Sequence, residues 1–153
     1  SSAASDVYKR QDPANEPDIA YAHLFSYFRG EEWRTQKETQ RLLDKYFTTK
    51  PNGIPGNDDT GTMSAWAIFN MIGFYPDCPG LPEYTLTTPV FNKVTIRLDP
   101  KWYKEKELVI ESNRTQPGTL YINKVLLNGK KFNQYRITHD ELVHSQRILF
   151  DLK

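Results

Sequence analysis

The sequence predicts an α+β protein, with helices in the first half and a mainly antiparallel sheet in the second. Apolar residues recur with helical spacing as far as Ile72, and beyond Glu83 they alternate or form short runs typical of strands. An Asn128-Gly129 pair between two such runs indicates a hairpin turn. We therefore expect two parts, residues 12–82 and 83–153, with the boundary at the change of pattern.

Charge and composition exclude two classes of partner. The 153 residues carry 20 Lys+Arg against 19 Asp+Glu, a net charge of +1, which argues against nucleic-acid binding because phosphates require a basic face. No apolar run approaches the roughly 20 residues that a membrane-spanning helix needs. We therefore expect neither nucleic acid nor a membrane as a partner.

Residues 1–11 are small and polar and show no apolar periodicity. Their last six residues, DVYKRQ, resemble the translated end of a transposon used in sequencing-library preparation. We expect this stretch to be a non-native or disordered tail. Because it contains no initiator Met and no apolar segment of a signal peptide, the localisation stays open between secretion or periplasmic export and the cytosol.

Two amphipathic helices are predicted before residue 50, as a helical hairpin. The first begins near Asp18 and ends at Gly30, and the second opens at Thr35 with a capping-box pattern that Glu38 completes. The apolar stripe of the first helix consists of Tyr21, Leu24, Phe25 and Phe28, and that of the second of Leu42, Leu43, Tyr46 and Phe47.

A third helix is predicted from Met63 to Ile72. It is apolar nearly all round, so it should be buried. A loop rich in Gly, Pro and Asn precedes it, and Gly73 ends it. The predicted strand runs are residues 94–98, 108–110, 120–122, 125–127 and 148–150, and one helical turn is predicted from Thr138 to Leu142.

The richest polar cluster, Asn57-Asp58-Asp59, lies just before the third helix. One interpretation is capping, because such side chains accept hydrogen bonds from the free N–H groups of a helix. The other is a carboxylate presented as a general base, which a helix N-terminus favours in its ionised form. In an extended segment the side chains of Asp58 and Asp59 would point to opposite sides.

Other candidates carry weaker signals. The run Asn15-Glu16-Pro17 precedes the first helix and is interpreted as a surface cap or as part of a site. The three histidines lack metal-ligand spacing, so we expect them to be surface or partly buried residues. The tryptophans, Trp33, Trp66 and Trp102, are scattered, and each suits packing or sugar stacking.

Taken together, these motifs resemble the C-terminal part of glycoside hydrolase family 92, the calcium-dependent exo-acting α-mannosidases. The resemblance extends from about residue 12 to the end and is carried by Asn15-Glu16-Pro17 and by the segments 53–66, 73–80 and 82–84. The order and spacing of these segments fit the family.

The resemblance implies a fold and a set of site residues. Residues 12–82 would be the last helices of an (α/α)6 barrel, and residues 83–153 the final α+β portion. Asp59 would be the general base, with Asn57 and Asp58 lining the site. Asn57 stands where many relatives have a second Asp. Asn15 and Glu16 would line the site near the calcium ion, although Asp18, Ile19 and Ala20 follow where many relatives carry histidines.

The implied function is inverting hydrolysis of terminal α-mannose, often α-1,2-linked, from glycans and glycoproteins, as in glycoprotein deglycosylation. The general acid of the family is a Glu on an earlier segment, so we expect these residues alone to be inactive without the N-terminal part of the same polypeptide. Calcium is the implied cofactor and mannose-containing glycans the partners. The alternative is a non-catalytic sugar-binding or accessory module.

Overall fold

The computed structural model describes residues 18–153 and confirms the α+β class. Asn15 and Glu16 lie outside this range. The helical elements are a 3₁₀ helix at Tyr21–Tyr27, α1 at Glu32–Tyr46, α2 at Thr62–Ile72 and α3 at His139–His144. The strands are β1 Phe74–Tyr75, β2 Glu83–Leu86, β3 Lys93–Arg97, β4 Glu107–Arg114, β5 Ile122–Leu127, β6 Lys130–Phe132, β7 Arg136–Thr138 and β8 Arg147–Leu152.

The strands form two sheets, one of three strands in the order β1-β2-β7 and one of five in the order β3-β4-β8-β5-β6. Every pair is antiparallel except β4 with β8, in which Ile110 lies opposite Ile148. The sheet is therefore mainly antiparallel, as predicted. The β1–β2 pair crosses the predicted boundary at residue 83, and that boundary stays a prediction.

Several local predictions are confirmed. Asn128 and Gly129 have φ of +49° and +81° and join β5 to β6, as a hairpin turn with two left-handed residues requires. The helical turn near Thr138 is α3, with a capping box between Thr138 and Glu141. The predicted runs 120–122 and 125–127 differ from the structure, because β5 starts at Ile122 and is continuous to Leu127.

The prediction for the first helix was wrong. The segment Tyr21–Tyr27 is a 3₁₀ helix whose buried residues are Ala22 and His23. Of the predicted apolar stripe, Tyr21 and Leu24 are exposed, and Phe28, beyond the helix, is 63% exposed. A 3₁₀ helix repeats every three residues instead of 3.6, so a stripe with α-helical spacing does not stay on one face.

The start of the second helix was also predicted incorrectly. Helix α1 begins at Glu32, so Thr35 is a buried residue inside the helix and not its cap. At the start of the helix, the Glu32 carboxylate accepts a hydrogen bond from Gly30 N at 2.8 Å. The buried face is more polar than predicted. Gln36, for example, accepts a hydrogen bond at Oε1 from Ile122 N at 2.9 Å, which links α1 to β5.

Two apolar clusters lie on either side of β1. Phe74 belongs to the cluster of the sheets, with Ile110 and Phe150 among its members, and Tyr75 belongs to the cluster of the helices, with Leu42 and Trp66. Successive residues of a strand point to opposite sides, so this short strand contacts both clusters. Within residues 18–153 we find no helix long and apolar enough to cross a membrane.

Candidate active site

The loop that precedes α2 has an unusual backbone. Asp59, Thr60 and Gly61 all have positive φ, at +46°, +62° and +91°. This region is unfavourable for residues with a Cβ and especially for a β-branched residue such as Thr60. Strain of this kind persists only where surrounding contacts hold it, and it clusters at functional sites. The backbone of this loop therefore has the kind of strain that is found at functional sites.

Asp58 caps helix α2. Its Oδ1 accepts a hydrogen bond from Ser64 N and its Oδ2 accepts one from the Ser64 hydroxyl, both at 2.7 Å. The hydroxyl of Ser64, together with its backbone N–H, lowers the pKa of the Asp58 carboxyl below its ordinary value. The capping interpretation is thus confirmed for Asp58.

Asp59 is oriented differently from its neighbour. Its backbone carbonyl accepts hydrogen bonds from Thr62 N at 3.2 Å and from Thr62 Oγ1 at 2.7 Å. Its side chain is exposed, and within residues 18–153 no hydrogen bond or ion pair reaches its carboxylate. Asn57 is exposed as well. Capping therefore accounts for Asp58, whereas the Asp59 carboxylate is exposed near the N-terminal end of α2 and is bound by none of the described residues.

Helix α2 is anchored to the segment that follows Asn15-Glu16-Pro17. Trp66 is buried, stacks on Phe47 with ring centroids 5.4 Å apart, and donates a hydrogen bond from Nε1 to Ile19 O at 2.9 Å. Ile19 comes three residues after Glu16 along the chain. The helix that carries the Asp59 loop is thus bound to the chain just after the predicted calcium-site pair.

A second anchor is a buried histidine. His23 Nε2 lies 2.9 Å from Asn70 Oδ1, Asn70 Nδ2 donates to Trp66 O at 2.8 Å, and the imidazole stacks on Tyr75 at 4.5 Å between centroids. Burial lowers the pKa of His23, although Asn70 and the charge of Asp77 act in the opposite direction. The expectation that His23 is a surface or partly buried residue was wrong, because its ring fills the space between the 3₁₀ helix and α2.

Sequence reasoning missed a buried ion pair between Asp77 and Arg136. Arg136 Nη1 lies 3.3 Å from Asp77 Oδ2, and the two side chains are 18% and 1% exposed, respectively. Thr85 Oγ1 donates to Asp77 Oδ1 at 2.8 Å, and Arg136 Cζ lies 4.2 Å from the centre of the Tyr27 ring. The pair connects the segment that follows β1 to strand β7, and the contact with Tyr27 connects Arg136 to the 3₁₀ helix. No sequence motif brings residues 59 positions apart together, so only the fold reveals it.

The described residues do not themselves form a metal centre. Within residues 18–153, no group of three or more His, Cys, Asp or Glu side chains is arranged to hold a metal ion. The predicted calcium ligands, Asn15 and Glu16, lie outside this range.

Comparison with protein families gives one match for this chain. Residues 2–153 match the protein family described as "Glycosyl hydrolase family 92 catalytic domain". An uncharacterized secreted glycosidase of the fungus Arthroderma benhamiae is 29% identical over 126 residues, which cover 82% of this chain and 16% of that protein.

Solved structures give the same result. A family GH92 α-mannosidase from Bacteroides thetaiotaomicron, in complex with mannoimidazole, has a TM-score of 0.83 and 31% identity over 92% of this chain. A GH92 inverting mannosidase from the same organism has a TM-score of 0.79 and 34% identity over 92% of the chain. The chain spans only 18% of each of these structures. Because nearly all of its length matches the family, the chain belongs to glycosyl hydrolase family 92.

Proposed function

We propose that this chain is the C-terminal part of an exo-α-mannosidase in which Asp59 is the general base of an inverting hydrolysis. The observation that carries the proposal is that no described residue binds the exposed Asp59 carboxylate, whereas each oxygen of the adjacent Asp58 carboxylate accepts a hydrogen bond from Ser64. The names of the similar solved structures support the reaction class, because one is an α-mannosidase and another an inverting mannosidase.

In this mechanism Asp59 removes a proton from a water molecule as the water oxygen attacks the anomeric carbon. A carboxylic acid on the other side of the sugar protonates the glycosidic oxygen as its bond to the anomeric carbon breaks. The two carboxyl groups must lie about 6.5–9.5 Å apart to leave room for the water. A base must be ionised before it reacts. Asn57 is neutral, so it does not add a second anion to the base.

We further propose that Asn15 and Glu16 contribute oxygen ligands to a calcium ion. An amide and a carboxylate oxygen are ligands that this hard cation prefers, and the bound ion would supply positive charge near the sugar hydroxyls. If so, removing calcium with a chelator lowers activity and adding calcium restores it. Glu16→Gln should raise the calcium concentration needed for half-maximal activity.

The substrate class in the proposal is terminal α-mannose of glycans and glycoproteins. The reaction also needs a general acid, and apart from Asp59, the proposed base, the motifs of this chain offer no carboxylate for that role. The proposed partner is therefore the N-terminal part of the same polypeptide. We expect the 153 residues alone to release no mannose from a mannobioside, and the complete polypeptide to release it.

The experiment that tests the proposal compares Asp59→Asn with Asp58→Asn in the complete polypeptide. Loss of a general base should lower kcat by about 10²–10⁴-fold. Asp58→Asn retains an oxygen that accepts the Ser64 N–H bond, so its effect should be much smaller. Equal effects of the two substitutions would contradict the assignment. Sugar binding without any hydrolysis by the unsubstituted protein would favour the alternative, a non-catalytic sugar-binding module.

A further inference from the structure

The turn that joins β3 to β4 is held in a fixed shape by its own hydrogen bonds. The carbonyl of Asp99 accepts from the N–H groups of Trp102 and Tyr103, both at 3.0 Å, and Asp99 Oδ1 accepts from Lys101 N at 2.8 Å. Leu98 N donates to Lys106 O at 2.9 Å and closes the base of the turn. The side chains of this turn are therefore presented by an ordered backbone.

Adjacent aromatic residues of the turn lie in opposite environments. Tyr103 is half-buried, with its hydroxyl 3.4 Å from Nε2 of His139, and His139 Nδ1 lies 2.9 Å from the Tyr84 hydroxyl. Trp102 is 73% exposed, the largest fraction for any large hydrophobic side chain within residues 18–153. Among the described residues its ring is thus mostly uncovered, with Lys101 Nζ 5.1 Å from the ring centre, on a turn that Tyr103 anchors.

A cavity of about 380 Å³ lies next to this turn and is lined by Lys104, Glu105, Lys106, Glu107 and Gln146. The first of these residues comes two positions after Trp102 along the chain. The Oε2 atom of Glu105 is buried and accepts no hydrogen bond from any described residue. None of the four charged side chains forms an ion pair with a residue of the described range. A buried oxygen without a donor is costly, so a ligand that donates to it would be stabilised.

The lining defines the chemical class of that ligand. Two lysines and two glutamates cancel in charge, so the cavity attracts neither an anion nor a cation strongly. Together with Gln146 they provide donors and acceptors that line one cavity, which suit the hydroxyl groups of a neutral sugar. The ring of Trp102 provides an apolar surface for the C–H face of a sugar unit.

We propose that the β3–β4 turn is a saccharide-binding site in which Glu105 accepts from a sugar hydroxyl and Trp102 packs on a neighbouring sugar ring. The site lies on the turn between two strands of the five-stranded sheet, whereas Asp59 lies before α2 in the helical part. That the sugar belongs to a mannose-rich glycan rests on the proposed function. The site would then bind units of the glycan chain other than the terminal mannose that is removed.

The test measures binding of a defined α-mannopentaose to the complete polypeptide by calorimetry, with saturating mannoimidazole occupying the hydrolytic site. We expect residual binding of the pentaose that Trp102→Ala weakens about tenfold and Glu105→Gln weakens several-fold. Trp33→Ala is the matched control, because Trp33 is an exposed tryptophan on α1 and should leave this binding unchanged. Since Trp102 is mostly exposed, its substitution should leave the thermal unfolding temperature unchanged.

The outcomes separate this inference from the proposed function. If neither Trp102→Ala nor Glu105→Gln alters pentaose binding, or if no binding remains beside mannoimidazole, the inference is overturned, whatever Asp59→Asn does to hydrolysis. If the unsubstituted protein hydrolyses no mannoside but binds the pentaose in a Trp102-dependent manner, the saccharide site stands and the proposed hydrolysis fails.

Discussion

Ser64 binds both carboxylate oxygens of Asp58, through its backbone N–H to Oδ1 and its hydroxyl to Oδ2, each at 2.7 Å. This arrangement gives two adjacent carboxylates different surroundings. Asp58 is held against the first turn of α2, and Asp59 follows in a left-handed conformation with its carboxylate exposed. The separation is the structural basis for assigning capping to one residue and proposing catalysis for the other.

We predict that Asp58→Ala lowers the thermal unfolding temperature, because it removes two hydrogen bonds from the start of α2. The pKa of Asp58 is lower in the folded protein than its ordinary value of 3.8. Its stabilisation is therefore fully present above about pH 4 and is lost as the pH falls through the folded value. Thermal melts at several pH values measure the effect. Ser64→Ala is the paired control, and strictly additive effects in the double variant would contradict the contact.

The buried His23 should make stability pH-dependent. Burial lowers its pKa below the ordinary value of 6.5, so the unfolded chain binds a proton that the folded protein does not. The contribution of neutral His23 to the free energy of unfolding is therefore fully present above about pH 6.5. Below that pH the free energy of unfolding falls by up to roughly 1.4 kcal/mol per pH unit, until the pKa of His23 in the folded protein is reached. Denaturant unfolding between about pH 8 and pH 5 measures this slope.

Two variants separate His23 from the other titrating groups. His23→Gln retains a donor for Asn70 Oδ1 but cannot be protonated, so its stability should depend less on pH over this range. His144→Gln makes the same replacement at an exposed histidine and is the matched control for the substitution itself. A His23→Gln protein with the full pH slope would show that another group is responsible.

The Asp77–Arg136 pair should contribute far more to stability than an exposed pair. Asp77→Ala leaves a largely buried guanidinium without its buried partner, and we expect a loss of about 3 kcal/mol, the lower end for a broken buried pair because Glu83 remains 3.2 Å from Arg136 Nε. Denaturant titration of the variant measures it.

The comparison for this prediction is Arg147→Ala. Arg147 pairs with Glu111 at 2.6 Å but is 59% exposed, so its loss should cost less than about 1 kcal/mol. If the two substitutions cost the same, the buried position of Asp77 is not what matters.

Much of the fold was predictable because local chemistry determines it. Asn128-Gly129 favours a turn with two left-handed residues, and the β3 run alternates apolar and polar residues as a half-buried sheet requires. The 3₁₀ helix was not predictable in this way. The spacing of its aromatic residues is typical of an α-helix. The contacts that fix its position, from His23 to Asn70 and from Trp66 to Ile19, each join residues 47 positions apart.

The candidate site was predicted in part. The Asn57-Asp58-Asp59 cluster was identified from its residue types and its position before a helix, but which aspartate caps depends on backbone angles that the sequence does not reveal. The sequence also did not reveal the buried oxygen of Glu105. An alternating Lys-Glu run is typical of a solvated surface, and only the fold shows that these residues line a cavity.

The measurement that tests the central claim most directly is azide rescue of Asp59→Ala in the complete polypeptide, with an α-mannoside that carries a good leaving group. Azide is a nucleophile that has no proton to lose, so it reacts without a general base. The account predicts that Asp59→Ala is inactive in water and that azide restores turnover, giving β-mannosyl azide by inversion. An Asp59→Ala protein that still hydrolyses the substrate, or one that azide does not restore, would contradict the role of Asp59 as the base.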